Sequence, residues 1–308
     1  MHLTSLRGLF QQSMTSDGKV QTRFLPGAVV CYVLFMTFYV ALVGTDWGHQ
    51  LDDGAYLGRG AVSRQVVMLD AAVLMRISSA TIMIGAAVLL LISVVRRCVL
   101  VGILTIAGFF TAVVGAEILK DLVFPWRALV ADDARLGKDL QFNSYPSGHA
   151  TIATAFVLSL LMVSPPRWRL WLAGIAGATS SIFTAGVLFA GWHRASDALG
   201  ALAWSGICMN LVAAAAVRLR GRPTLGKPRH ALSGSVIIGV LMLLSFYLIA
   251  AKAAPQYPHR DLPFFLLSGL IIVGSFALTA WYGRQLQAVE FRAASPEARQ
   301  RIADANSP

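Results

Sequence analysis

Charged side chains are scarce in this sequence. Asp, Glu, Lys and Arg make up only 13% of its 308 residues, where a soluble domain carries roughly 25%. With 56% hydrophobic residues and a mean hydropathy of +0.64, a soluble globular domain is excluded and an integral membrane protein is expected. Cysteine is scarce too. Cys31, Cys98 and Cys208 each lie in or beside an apolar run, without a C-x-x-C or Cys/His pairing. That excludes a disulfide framework and a zinc site and leaves three ordinary packing thiols. The first 26 residues carry Arg7, Lys19 and Arg23 but no short apolar core or small-residue cleavage site, so no cleaved signal peptide is expected and the first apolar run reads as an anchor. Internal repeats are also missing; low complexity is limited to the alanines 213–216 and the polar C-terminal tail.

What the chain has in abundance is apolar runs. A membrane-crossing helix needs about 20 mainly apolar residues to cross a hydrocarbon core ~30 Å thick. Runs of that kind fall at 27–44, 77–95, 98–118, 149–164, 170–190, 198–217, 231–251 and 263–283. With the N-terminus inside, the inner segments hold sixteen basic residues against four acids, Asp17, Glu290, Glu297 and Asp304. This is the positive-inside pattern, and it explains the net charge of +11 as a topology signal, with no nucleic-acid partner implied. The expected fold is all-α: a polytopic transmembrane helical bundle of about eight spans with both termini cytoplasmic, in the cytoplasmic membrane. Residues 1–26 form a cytoplasmic segment, 27–217 a six-helix core, 218–284 two additional transmembrane helices, and 285–308 a mobile cytoplasmic tail. The outer loop 45–76 carries Asp46, Asp52 and Asp53, and its stretch Ala61 to Arg76 reads as an interfacial covering element.

Three sets of polar residues fall at the outer surface. Lys120 is followed by Pro125, Trp126 and Arg127; the two cations would lie about 10 Å apart along a helix axis, and Pro125 bends the chain between them so that both could meet one anion. Alternatively they are snorkelling interfacial cations. Next comes Asn143-Ser144-Tyr145-Pro146-Ser147-Gly148-His149, immediately before the fourth run. Ser147 is a natural N-cap, and the following helix start presents free N–H groups and a positive dipole end, a ready site for phosphate. His149 would sit in its first turn. The third set is Gly191-Trp192-His193-Arg194-Ala195-Ser196-Asp197, opening the sixth run. His193 and Asp197, at i and i+4, would meet on one helix face, the carboxylate fixing the imidazole tautomer and leaving the other nitrogen nucleophilic. Charged groups at a membrane helix edge are costly to keep without a role.

These three sets resemble the signature of the type 2 phosphatidic acid phosphatase superfamily: Lys-x6-Arg-Pro, Pro-Ser-Gly-His, and Ser-Arg-x5-His-x3-Asp. Lys120 and Arg127, Pro146-Ser147-Gly148-His149, and His193 with Asp197 stand in that order, and the resemblance covers about residues 77–217. It implies a six-helix phosphatase core that needs no metal or other cofactor and hydrolyses a lipid phosphate or diphosphate through a phosphohistidine. His193 would be the nucleophile, Asp197 its orienting carboxylate and His149 the proton donor. Lys120, Arg127, Ser147 and Gly148 would bind phosphate, and the lipid substrate would enter from the bilayer at the outer leaflet.

Two departures stand out. Ala128 replaces the proline of the first motif, and Gly186-Val187 replaces the Ser-Arg pair of the third. A phosphoryl transition state spreads charge over three oxygens and relies on preplaced donors, so a missing cation could cost on the order of 10²-fold in rate. Arg194 is the nearest candidate to compensate, with Arg76, Arg135 and Lys138 after it. Two alternatives stay open: a lipid phosphotransferase using the same histidines, and a lipid-phosphate-binding protein weakened in catalysis. A transporter is disfavoured, since no paired broken segments appear in two halves.

Overall fold

In hydrocarbon every backbone N–H and C=O must be satisfied within its own segment, and each apolar run accordingly folds as a helix. The computed structural model describes residues 23–124, 144–223, 232–253 and 262–291. Along these lie α1 (Phe24–Phe38), extended by a π turn at Tyr39–Val43, then α2 (Asp46–Gly58), α3 (Arg64–Leu74) and α4 (Ser79–Val95). They are followed by α5 (Val99–Ile118) with a π turn at Leu119–Val123, α6 (Gly148–Val163), α7 (Arg169–Phe189) and α8 (Ala195–Arg220). The last two are α9 (Leu232–Ala253) and α10 (Leu262–Gln287). Among the described residues five segments, Phe24–Val43, Val99–Val123, Pro166–Phe189, Ala195–Arg220 and Leu262–Gln287, are long and apolar enough to cross a membrane. The pair α3–α4, bent by 66°, adds a sixth if taken as one span, while α6 and the stretch Ile237–Ile249 of α9 are apolar but shorter.

The chain is an all-α membrane protein with a belt of exposed apolar side chains. Leu25, Val29, Val33, Met83, Leu91, Ile103 and Leu241 all face outward. Water-soluble monomers rarely expose so many large apolar side chains. Helices α1 and α8 pack along each other, as do α7 and α10. The latter helix packs into the bundle, with Phe264, Ile271 and Tyr282 fully buried.

At one end of the bundle, where α4 hands over to α5 and α6 to α7, charged side chains tie the helices together. Arg169 is fully buried and donates from Nε to Leu161 O (3.2 Å), from Nη2 to Met162 O (3.2 Å), and from Nη1 to the carbonyls of Leu286 and Val289. Arg96 pairs with Glu290 at 2.6 Å and donates to Val163 O at 2.7 Å. The two-residue strands β1 (Arg222–Pro223) and β2 (Val289–Glu290) pair antiparallel beside them. The expected tail therefore begins later than Gln285. Val289 and Phe291 are buried and Glu290 is ion-paired, because the carbonyls after α10 are what Arg169 needs; residues 292–308 lie outside the described part.

Candidate active site

The opposite end gathers the second and third polar sets. Ser147 is the N-cap of α6, its Oγ accepting from Ala150 N at 3.4 Å. Its own N–H donates to the backbone oxygen of Asp197 at 3.0 Å, which joins the starts of α6 and α8. Tyr145, fully buried against Phe35 with ring centroids 5.0 Å apart, donates its hydroxyl to Phe35 O at 2.5 Å and so anchors the preceding loop to α1.

Between α7 and α8 the chain reverses at Gly191, whose φ of +73° is costly for any residue with a Cβ. The N–H groups of Trp192 and His193 both return to Val187 O, at 2.9 and 3.0 Å. This turn corrects one expectation: His193 precedes the helix, with Arg194 as N-cap and Asp197 in the first turn, so the pair does not share a helix face. The two side chains meet all the same, His193 Nδ1 lying 3.3 Å from Asp197 Oδ2. Asp197 is fully buried and its Oδ2 also accepts from Ser144 Oγ and from Arg194 N (3.1 Å). A carboxylate only accepts, so Nδ1 carries the proton and Nε2 keeps its lone pair.

His149, in the first turn of α6, stands edge-on to Trp192 with ring centroids 5.2 Å apart. His193, Glu117 and Lys120 are its charged neighbours. Lys120 occupies the π turn that ends α5 and pairs with Glu117, whose other oxygen rests against Gly148 at the start of α6. His149, His193, Asp197, Ser147, Gly148 and Lys120 thus belong to one end of the bundle. Arg127, Arg135 and Lys138 fall within 125–143, outside the described residues. Arg76 is exposed past the end of α3.

Arg194, read from sequence as a phosphate ligand, is buried to 3% exposure with Nε 2.5 Å from Asp53 Oδ1. Val187, where the signature has arginine, is fully buried among apolar neighbours. Beside it Gly186 faces Asp70, whose carboxyl carbon lies 3.7 Å from where a Cβ would be.

Sequence reasoning missed the part played by α2. Asp52, fully buried, accepts from Ser196 N (3.0 Å) and Ser196 Oγ (2.5 Å). Tyr56 donates its hydroxyl to Gly191 O at 2.9 Å. The signal was present as two adjacent acids in the loop 45–76, ahead of the stretch Ala61 to Arg76 read as a cover. Glu117 was missed as well, although an acid inside the apolar run 98–118 is the kind of costly residue that marks a site.

Residues 96–221 match the PAP2 superfamily, a segment running from the α4–α5 turn to the end of α8 and containing Lys120, His149, His193 and Asp197. No curated protein and no solved structure matches the chain.

Proposed function

We propose, on the premise that the chain belongs to the PAP2 superfamily through its segment 96–221, that it is a membrane-embedded phosphatase acting on a lipid phosphate or diphosphate. The observation that carries this reading is the junction of α6 and α8: the Ser147 N–H to Asp197 O bond brings the two histidine-bearing helix starts together, with His193 already oriented by Asp197.

In this mechanism His193 Nε2 attacks phosphorus while the bond to the lipid oxygen breaks. Protonated His149 gives its proton to that departing oxygen. Neutral His149 then takes a proton from water, the water oxygen attacks phosphorus, the P–N bond breaks, and inorganic phosphate leaves with His149 protonated again. Asp197 stabilises the imidazolium form of His193 throughout. Lys120, Arg127, the Ser147 hydroxyl and the backbone at Gly148 hold the phosphoryl oxygens. Arg194, engaged by Asp53, serves as an anchor for α2 in place of the phosphate contact expected of it. The positive-inside charge pattern supports a site on the extracytoplasmic face of the cytoplasmic membrane, where a lipid enters sideways between helices.

Phosphate release from a reconstituted panel (phosphatidate, phosphatidylglycerophosphate, a polyprenyl diphosphate) tests the proposal. His193→Ala and His149→Ala abolish release while the protein stays folded; unchanged release in both overturns it. A second reading, lipid-phosphate binding without turnover, is favoured by the apolar Val187 alone, and tight binding with no release from any lipid would support it.

A further inference from the structure

Resting on that reading, we infer that Arg59, at the end of α2, supplies to the phosphoryl group the guanidinium that Val187 cannot. Asp52, Asp53 and Tyr56 attach α2 to the turn 191–197 through Ser196, Arg194 and Gly191 respectively. Arg59 is one turn beyond Tyr56 on the same face. Its guanidinium lies 3.7 Å from the centre of the Tyr56 ring, and Nη1 donates to Tyr56 O at 2.6 Å. A Cβ on Gly191 would come 2.8 Å from Arg59 Nε and 3.3 Å from Cζ. The guanidinium therefore rests on the backbone turn from which His193 projects two residues later, in space that glycine leaves open.

Three further facts point the same way. Arg59 is half-buried, yet no carboxylate among the described residues lies within salt-bridge distance of it; Asp53, the nearest acid in sequence, is taken by Arg194. A partly desolvated guanidinium with no acid beside it keeps its charge and its remaining donors available to an anion. The fork of N–H donors suits phosphoryl oxygens, and the starts of α6 and α8 add positive potential at the same end. The position of the absent arginine is closed, since Val187 is buried and Asp70 faces Gly186.

The test uses the full chain reconstituted in vesicles, with equilibrium binding of inorganic phosphate measured beside lipid-phosphate turnover. Arg59→Ala weakens inorganic phosphate binding at least about tenfold and lowers kcat/KM on the order of 10²-fold; Arg59→Lys recovers part of both. Arg64→Ala, at an exposed cation that opens α3, changes neither. Should Arg59→Ala fail to fold, Arg59→Gln makes the same comparison. Phosphate binding equal to that of the unaltered chain overturns the inference, as does weakened lipid binding with inorganic phosphate unaffected, which would assign Arg59 to the membrane surface. Because binding is read without turnover, a chain that hydrolyses none of the lipids counts against the phosphatase reading and leaves the Arg59 result legible.

Discussion

His193 Nδ1 lies 3.3 Å from Asp197 Oδ2, and that same oxygen accepts from Ser144 Oγ and Arg194 N. One buried carboxylate oxygen thereby fixes the tautomer of His193, the loop before α6 and the N-cap of α8. Asp197→Asn keeps the shape but offers an amide that can hold the wrong tautomer, so kcat falls on the order of 10³-fold or more. Ser144→Ala removes one of the donors and lowers kcat by about tenfold. Steady-state kinetics on folded protein checks both, and the ordering Asp197→Asn worse than Ser144→Ala is required.

Arg194 and Asp53 form an ion pair at 2.5 Å with the guanidinium 3% exposed. Removing Asp53 breaks a buried charge-assisted hydrogen bond, so Asp53→Ala destabilises by about 1 to 3 kcal/mol. The double variant Asp53→Ala with Arg194→Met removes both charges of this pair and loses less. Thermal unfolding in detergent of the two single variants and the double variant gives the comparison; a double variant less stable than Asp53→Ala would contradict it.

At the far end Arg169 donates to four carbonyls contributed by the ends of α6 and α10 and the strand after it. Arg169→Met leaves those carbonyls short of donors and costs on the order of 3 kcal/mol or more, with phosphate release in the surviving folded fraction unchanged per molecule. Unfolding temperature and active-site titration separate the two effects.

Asp70 lies on α3, across the end of the bundle, and burial pushes its carboxyl up to about 6 from an ordinary 3.8. The folded chain then holds a proton that the unfolded chain has released, so the unfolded state binds fewer protons between about pH 4 and 6 and stability falls as pH rises through that window. Asp70→Asn removes this slope and makes the chain more stable at pH 7 than the unaltered protein. Unfolding temperatures at pH 4, 5, 6 and 7 are the check; parallel pH profiles for the two chains would refute the assignment.

Much of this was legible in the sequence. Runs of apolar residues announce helices because hydrocarbon permits little else, and Ser147, Gly148 and His149 declare a capped helix start by local chemistry alone. What stayed hidden depends on tertiary contact. His193 and Asp197 are four residues apart in a helix or across an N-cap alike, so spacing could not tell that Gly191 sends the chain through a turn first. Nothing in Asp52, Asp53, Tyr56 and Arg59 names Ser196, Arg194 and Gly191 as their counterparts, more than 130 residues away. The tail's first residues looked polar and loose, and only the buried Arg169 explains why Val289 and Phe291 fold inward.

In the proposed reaction His193 carries the phosphoryl group. Rapid quench of the reconstituted protein with a lipid phosphate labelled on phosphorus measures it directly. An acid-labile, base-stable phosphoryl adduct is expected on the peptide containing His193, absent from His193→Ala. Continued phosphate release by His193→Ala, or an adduct on any other residue, would contradict it.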